Sequence, residues 1–319
     1  MTHRKLTLAL LPICFILPAA AQSPADRHPD LQGIWNSATA TPLERPAALK
    51  DKAFFTPQEA ADWERKAAGR REDPKPDAPA SKGFASYNAL FYETGTELMK
   101  NHRTSIITDP PDGRIPDLTP AAAAEKARRL NALNHPRDVK DMGLQDQCIV
   151  FPTAVAPMRP YIYNSNAQII QTGSIVMINV EMAHDTRVIR LDRQTHITPD
   201  IRLWLGDSIG HWEGSTLVVD TTNFKDGGGY FGDAGGMYGT DRNLHVVERF
   251  SLQDPNTILY QFLVDDPTAY TRPWKGELTM TRSAERIFEY ACPEGNYALT
   301  DLLNGARVEE RKESALKKQ

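Results

Sequence analysis

Between residues 167 and 291, apolar and polar positions alternate in short runs, which is the pattern of half-buried β-strands. Turns rich in Asp, Asn, Pro and Gly separate these runs, and such spacing is typical of an antiparallel meander. A meander of this length curls into a barrel or a sandwich. We predict a mainly β fold, an antiparallel β-barrel, with strands at 168–180, 186–191, 215–222, 244–252, 257–264, 277–282 and 286–290.

The part of the chain before the strands has a different composition and is rich in Pro, Ala and charged residues. Thr56 followed by Pro57 predicts a helix that runs to about residue 68, because Thr caps a helix and Pro suits its first position. Thr119 and Pro120 form the same start signal and predict a second helix over residues 121–133. We divide the chain into a signal peptide at 1–21, a helical and proline-rich wrap with a first strand at 22–159, a barrel core at 160–296 and a C-terminal helix at 297–319.

The first residues have the three parts of a secretory signal. Arg4 and Lys5 precede an apolar run from residue 6 to residue 19, and Ala19 to Ala21 form a small-residue cleavage site. The run is shorter than the roughly 20 residues that span a bilayer. We therefore expect cleavage near Ala21, export to the periplasm or the exterior, and no membrane anchor.

Cleavage changes the charge and the cysteine count. It removes Arg4 and Lys5 and no carboxylate, so the formal net charge falls from −4 to −6. This balance disfavours nucleic acid as a partner. Cys14 also leaves, and in an oxidising compartment the remaining Cys148 and Cys292 are expected to form a disulfide, with two buried free thiols as the alternative.

Several longer motifs carry a resemblance. A Gly33-x-Trp35 signature is similar to the first strand of lipocalin-like barrels. The further motifs are DPPDGRIP (109–116), HDxR (184–187), WLGDS (204–208), HWEGxTLVVDTTNF (211–224), LHVVERF (244–250), TRPW (271–274) and YACxEGNY (290–297). With them the chain resembles a large family of secreted bacterial proteins of unknown function. The resemblance implies export and a β-rich fold, and it implies no particular reaction.

A dense polar cluster follows the first predicted strand and is the first candidate for catalysis. His184 can exchange a proton near neutral pH, with Asp185 as its orienting group. Arg187 and Arg190 would stabilise an anion formed on the substrate. The alternative is a histidine that caps the strand, beside a surface ion pair of Asp185 and Arg187.

His211 and Glu213 offer a second acid–base pair, although Glu213 and Gly214 also fit an ordinary hairpin turn. We expect no cofactor. The alternative is a divalent metal such as zinc, since imidazole and carboxylate groups suit it. Its ligands would come from His184, Asp185, His196 and His211, whose spacing matches no compact ligand motif.

Aromatic and amide side chains are the candidates for substrate contacts. Aromatic rings stack on sugars and other rings, but they also fill protein cores. The predicted substrate-binding residues are Tyr163, Asn164, Asn166, Trp204, Trp212, Tyr230 and Trp274.

These features lead to two functional hypotheses and a third reading. The first is a secreted enzyme that uses metal-free acid–base chemistry (elimination, isomerisation or hydrolysis) on a carbohydrate or plant-derived small molecule. The alternative is a non-catalytic periplasmic lipocalin-like protein that binds an apolar or aromatic ligand. The third is a structural protein of the envelope. The partner is a small molecule or an oligosaccharide in the first case, and the sequence predicts no particular oligomeric state.

Overall fold

The computed structural model describes residues 28–69, 95–151, 153–161, 165–225, 242–292 and 294–316. The predicted signal peptide lies outside the described residues. The strands are β1 (Gly33–Asn36), β2 (Ile107–Asp109), β3 (Asn166–Gln171), β4 (Ile175–Val180), β5 (Thr186–Arg190), β6 (Asp207–Glu213), β7 (Thr216–Thr222), β8 (His245–Asp254), β9 (Thr257–Asp265) and β10 (Trp274–Ser283). The helices are α1 (Pro57–Gly69), α2 (Pro120–Asn134) and α3 (Ala298–Leu316), with short 3₁₀ turns at Ala47–Leu49, Val139–Asp141 and Met182–His184.

Among the described residues, nine strands close into a barrel, which confirms the predicted fold class. Closure occurs at β1, which pairs with β3 on one side and with β10 on the other. The barrel is mixed rather than wholly antiparallel, because β5 and β6 are parallel and pair Ile189 with Ser208. Residues 191–206 return along the barrel between these two strands, and we call them the crossover segment. β2 adds to β10 outside the closed ring.

Two strand predictions need correction, and strand β6 was not predicted. The run at 168–180 is a hairpin of β3 and β4, because the backbone N–H of Thr172 donates to the Ile175 carbonyl (2.8 Å) and closes a turn. The strand predicted at 286–290 is wrong: β10 already pairs with β9 and β1, so the closed ring offers no edge there, and Phe288 is 66% exposed. The sequence did not predict β6, because Gly210 interrupts its alternation of apolar and polar residues.

Both N-terminal helices begin at the predicted caps. The backbone N–H of Thr56 donates to Glu59 Oε2 (2.8 Å) and that of Glu59 donates to Thr56 Oγ1 (3.3 Å), which is a capping box. Thr119 Oγ1 accepts from the backbone of Ala122 (3.2 Å). The C-terminal helix is also confirmed, as α3. No helix in the described part of the chain has the length and apolar composition needed to cross a membrane.

The inward faces of the strands fill the barrel with large side chains. Trp35, Phe250, Tyr260 and Trp274 are all almost completely buried. At one end, the Arg282 guanidinium lies 4.3 Å from the Trp35 ring centroid and closes the barrel over the indole. This burial gives most of the stability, since a buried aromatic or aliphatic side chain contributes about 1.5–3 kcal/mol.

The other end is occupied by the segment that follows Cys148. Every described residue from Val150 to Arg159 is buried, and the backbone N–H of Met158 donates to the Tyr260 hydroxyl (2.8 Å). The predicted disulfide between Cys148 and Cys292 is present and joins this segment to the chain that precedes α3.

Candidate functional site

Arg187, a predicted anion-stabilising residue, lies inside the barrel. Its guanidinium donates two hydrogen bonds to Glu248, of 2.7 and 2.9 Å, and the two side chains are 2% and 0% exposed. The Tyr260 hydroxyl donates a third hydrogen bond to Glu248 (2.7 Å). Burial pushes the pKa of Arg187 down, but the charge and hydrogen bonds of Glu248 outweigh it and raise the pKa. Arg187 and Glu248 therefore form a buried ion pair whose two charges compensate each other.

The other residues of the first cluster lie elsewhere. Arg190 points to the opposite face of β5 and pairs with Asp192 at the surface. The Asp185 carbonyl accepts from the backbone of Val180 (2.9 Å) at the start of β5. The side chain of His184 is outside the described part of the structure. Strand alternation therefore separates Arg187 from Arg190, and Arg187 pairs with Glu248 rather than with Asp185.

His211 and Glu213 form a surface group at the end of β6. His211 Nε2 lies 3.2 Å from Glu213 Oε1, and Arg249 donates to Glu213 Oε2 (2.8 Å). The hydrogen bond from Arg249, followed by that from His211, lowers the pKa of Glu213. Gly214 adopts a left-handed conformation with φ of 59° and closes the hairpin to β7, so the hairpin interpretation is confirmed.

The described members of the predicted substrate-binding set are dispersed. Trp274 is buried in the core at one end of the barrel, and Trp212 stacks on His28 at the other (centroids 4.6 Å apart). The Lys225 ammonium lies 4.7 Å from the Trp204 ring centroid. Asn166 Oδ1 accepts from the Asn36 amide (2.9 Å). Tyr163, Asn164 and Tyr230 lie outside the described residues.

The structure assembles a different acid–base group on the outer face of the barrel. Asp220 projects outward from β7, and His245 begins the neighbouring strand β8. Their contact is short, with His245 Nε2 2.8 Å from Asp220 Oδ2. The crossover segment brings His196 to the same carboxylate, with Nε2 2.8 Å from Asp220 Oδ1. We call His196, Asp207, Asp220 and His245 the histidine–aspartate chain.

Asp207 completes this chain at the start of β6. His196 Nδ1 lies 2.9 Å from Asp207 Oδ2, which also accepts from the backbone of Ile197 (3.0 Å). Both ring nitrogens of His196 thus face carboxylate oxygens, which only accept hydrogen bonds when ionised. His196 has no ring nitrogen left for a metal. The described residues contain no group of three or more His, Cys, Asp or Glu side chains arranged to hold one.

The contact between His245 and Asp220 shifts their two pKa values in opposite directions. The hydrogen bond to Asp220 raises the pKa of His245, burial opposes this, and the nearby charges of Asp220 and Asp265 reinforce it. Burial pushes the pKa of Asp220 up, but the hydrogen bonds from His245 and His196 outweigh it, and the net shift is downward. A raised histidine pKa and a lowered aspartate pKa are what a hydrogen-bonded Asp–His pair produces.

His245 is the member that can meet a substrate. Its side chain is 38% exposed, and the described residues offer no hydrogen-bond partner to its Nδ1. Because Asp220 holds the proton on Nε2, the lone pair of the neutral ring is on Nδ1. The arrangement can take a proton at Nδ1 and return it, which is general acid–base chemistry.

His196 was predicted as a possible metal ligand, whereas Asp220 and His245 were not predicted as site residues. A signal was present in the sequence. Asp220 follows the apolar residues 217–219 of β7, and His245 is the second residue of the LHVVERF motif, directly before Val246 and Val247. Comparison with known proteins gives no match to any protein-family model and no related curated sequence.

Proposed function

We propose that the protein is a secreted enzyme of metal-free acid–base chemistry in which His245 transfers the proton and Asp220 orients it. The observation that carries the proposal is the 2.8 Å contact between His245 Nε2 and Asp220 Oδ2, on a histidine whose side chain is 38% exposed. The reaction class is elimination, isomerisation or hydrolysis. The substrate class is a carbohydrate or a plant-derived small molecule.

The geometry assigns each residue of the histidine–aspartate chain a role in the proposed proton transfer. Neutral His245 accepts a proton at Nδ1 from an acidic C–H group of the substrate or from a water molecule. The resulting imidazolium is stabilised by the Asp220 carboxylate, and it then returns the proton to the leaving group or to the product. A general acid–base group of this kind contributes typically 10²–10⁴-fold to the rate. His196 and Asp207 act behind Asp220 and fix its carboxylate.

The disulfide and the N-terminal sequence support the export part of this proposal. Disulfides persist in oxidising compartments, and the first 21 residues have the composition of a cleavable signal. N-terminal sequencing of the protein recovered outside the cytoplasm tests this, with Gln22 as the expected first residue. A chain that still begins at Met1 would refute cleavage.

The interior of the barrel favours the enzyme over a lipocalin-like binding protein. A carrier of apolar ligands needs an open lumen lined by apolar groups. Here the inward positions hold mutually packed side chains and the Arg187–Glu248 pair, all buried. The binding hypothesis therefore has no support from the described part of the barrel.

The proposal is tested by screening turnover of oligosaccharides and plant-derived aromatic compounds with three proteins. These are the natural chain, His245→Gln and the matched control His135→Gln, which alters an exposed histidine at the C-terminal end of α2. We expect turnover in the first and third and a loss of roughly 10²-fold or more in the second. If His245→Gln retains full turnover, the histidine–aspartate chain only fastens the crossover segment, and the proposal fails.

A further inference from the structure

We infer that Asn223 is a positioning residue for His245, acting through the crossover segment. This inference rests on the proposed function. Asn223 comes three residues after Asp220 and lies just beyond the end of β7. Within the described part of the chain, none of its hydrogen bonds goes to His245 or His196, so its effect on either histidine passes through the backbone to which it is bonded.

Asn223 is the hydrogen-bonding centre of the crossover segment. Its side-chain amide approaches three carbonyl oxygens of that segment, of Ile197 (3.2 Å), Thr198 (3.0 Å) and Ile201 (3.0 Å). Its own backbone carbonyl accepts from Leu203 (3.0 Å). An amide group has only two protons, so the three carbonyls share them. The residue is 8% exposed, so these bonds are shielded from water.

The backbone conformation at this position restricts which residues can serve. Asn223 has a φ of 58°, in the left-handed region that asparagine tolerates better than most side chains. Its Oδ1 accepts from Thr222 Oγ1 (3.0 Å), which sets the orientation of the amide. Orientation and conformation together aim the NH₂ group at the crossover segment.

This geometry fixes the distance between Asp220 and His196. Ile197, which bonds to Asn223, directly follows His196, and Asn223 itself is close in sequence to Asp220. The Asn223 side chain therefore connects the backbone next to Asp220 with the backbone next to His196. The segment is not held by packing alone, since Ile201 and Leu203 are among its exposed apolar residues.

Arg202 connects the same segment to the strand of His245. Its Nη1 donates to the carbonyl oxygens of Phe224 (3.1 Å) and Arg242 (2.7 Å). Arg242 lies three residues before His245, so the crossover segment is bonded to the chain on both sides of the Asp220–His245 contact. Loosening the segment should withdraw His196 from Asp220. The carboxylate then loses one donor and becomes a stronger acceptor for the other, His245.

The test uses the full chain with ¹⁵N-labelled histidine and follows the imidazole signals by NMR across pH. Asn223→Gly keeps the left-handed backbone and removes the amide. Asn101→Gly is the control, because it removes an exposed asparagine that donates to Glu277 on another part of the barrel. We expect Asn223→Gly to change the ring-nitrogen shifts of His196 and to move the titration midpoint of His245 upward. The control should leave both unchanged.

Turnover separates this inference from the proposed function. We expect Asn223→Gly to lower kcat by roughly 10- to 100-fold, since small misplacements of a catalytic group cost that much. If the signals of His196 and His245 match those of the natural chain, the positioning role is overturned. A third outcome is that the signals of His196 and His245 shift in Asn223→Gly while the His245→Gln protein still turns over substrate normally. In that case Asn223 positions the histidine–aspartate chain, but His245 is not the proton-transfer group.

Should Asn223→Gly fail to fold, Asn223→Ser replaces it, because serine retains one donor and loses the reach to three carbonyls. The same upward movement of the His245 midpoint is then expected to a smaller extent. Identical His196 and His245 signals in a folded Asn223→Ser protein would overturn the inference.

Discussion

Inside the barrel, Arg187 donates two hydrogen bonds to Glu248, although 61 residues separate them in the sequence. β5 and β8 are not neighbours in the sheet, so the pair crosses the interior of the barrel. Tyr260 completes the group by donating to Glu248 while it accepts from the backbone of Met158. The four groups tie three strands to the buried segment that fills one end.

Removing one partner of this pair should destabilise the fold strongly. Arg187→Met leaves Glu248 charged, buried and short of two donors, and such a change costs about 3–5 kcal/mol. Urea unfolding measures the free energy, and Arg190→Met is the control because its ion pair with Asp192 is at the surface. The control should change the free energy of unfolding by less than about 1 kcal/mol.

The double variant Arg187→Met with Glu248→Met tests the reason for that loss. If the cost comes from an unpaired buried charge, the double variant should be more stable than Arg187→Met alone. A double variant that is less stable than the single one would contradict this explanation.

The disulfide should contribute measurably to stability. Replacing Cys148 and Cys292 by serine releases a crosslink across 144 residues of sequence, and removal of a native disulfide costs typically about 2–4 kcal/mol. Denaturant unfolding of the natural and double-serine chains gives this difference. In addition, thiol titration of the denatured, unreduced protein should find no reactive thiol at Cys148 or Cys292, and reactive thiols at both would contradict the bridge.

The Asp220–His245 contact predicts a stability that depends on pH. The pKa of His245 is raised in the folded state, so its contribution is complete below the ordinary histidine pKa and is lost as the pH rises through the raised value. The pKa of Asp220 is lowered, so its contribution is complete above the ordinary aspartate pKa and is lost as the pH falls through the lowered value.

The stability difference between the natural chain and Asp220→Asn should therefore be largest between about pH 4 and pH 6.5, the ordinary values of the two groups. Urea midpoints from pH 3 to pH 9 measure it. Asp192→Asn is the matched control, since Asp192 pairs with an arginine that does not titrate in this range. A difference for Asp220→Asn that stays constant from neutral to alkaline pH would be evidence against the contact.

Features that depend on local chemistry were predictable from the sequence. The helix caps at Thr56 and Thr119 and the turn at Gly214 each depend on residues within a few positions. The strands β7 to β9 lie within about two residues of their predicted ranges, because turn residues bound their apolar and β-branched runs. The disulfide followed from compartment and cysteine number rather than from geometry.

Features that depend on register were not predictable in this way. Asp220 and His245 meet only because β7 and β8 pair in the observed register, and His196 joins them only because the crossover segment runs back beside β6. Arg187 and Arg190 were predicted to act together, but they lie on opposite faces of β5, and the sequence could not show that one of those faces is the closed interior. His211 and Glu213 were correctly paired, yet the pair stands at the surface.

The most direct test of the account is the pH dependence of kcat/KM on a substrate found in the screen. The natural chain should show a limb governed by His245 with a pKa above the ordinary histidine value, and Asp220→Asn should move that limb to lower pH while activity falls. An identical pH profile in the natural chain and in Asp220→Asn would contradict the assignment of His245 as the proton-transfer group.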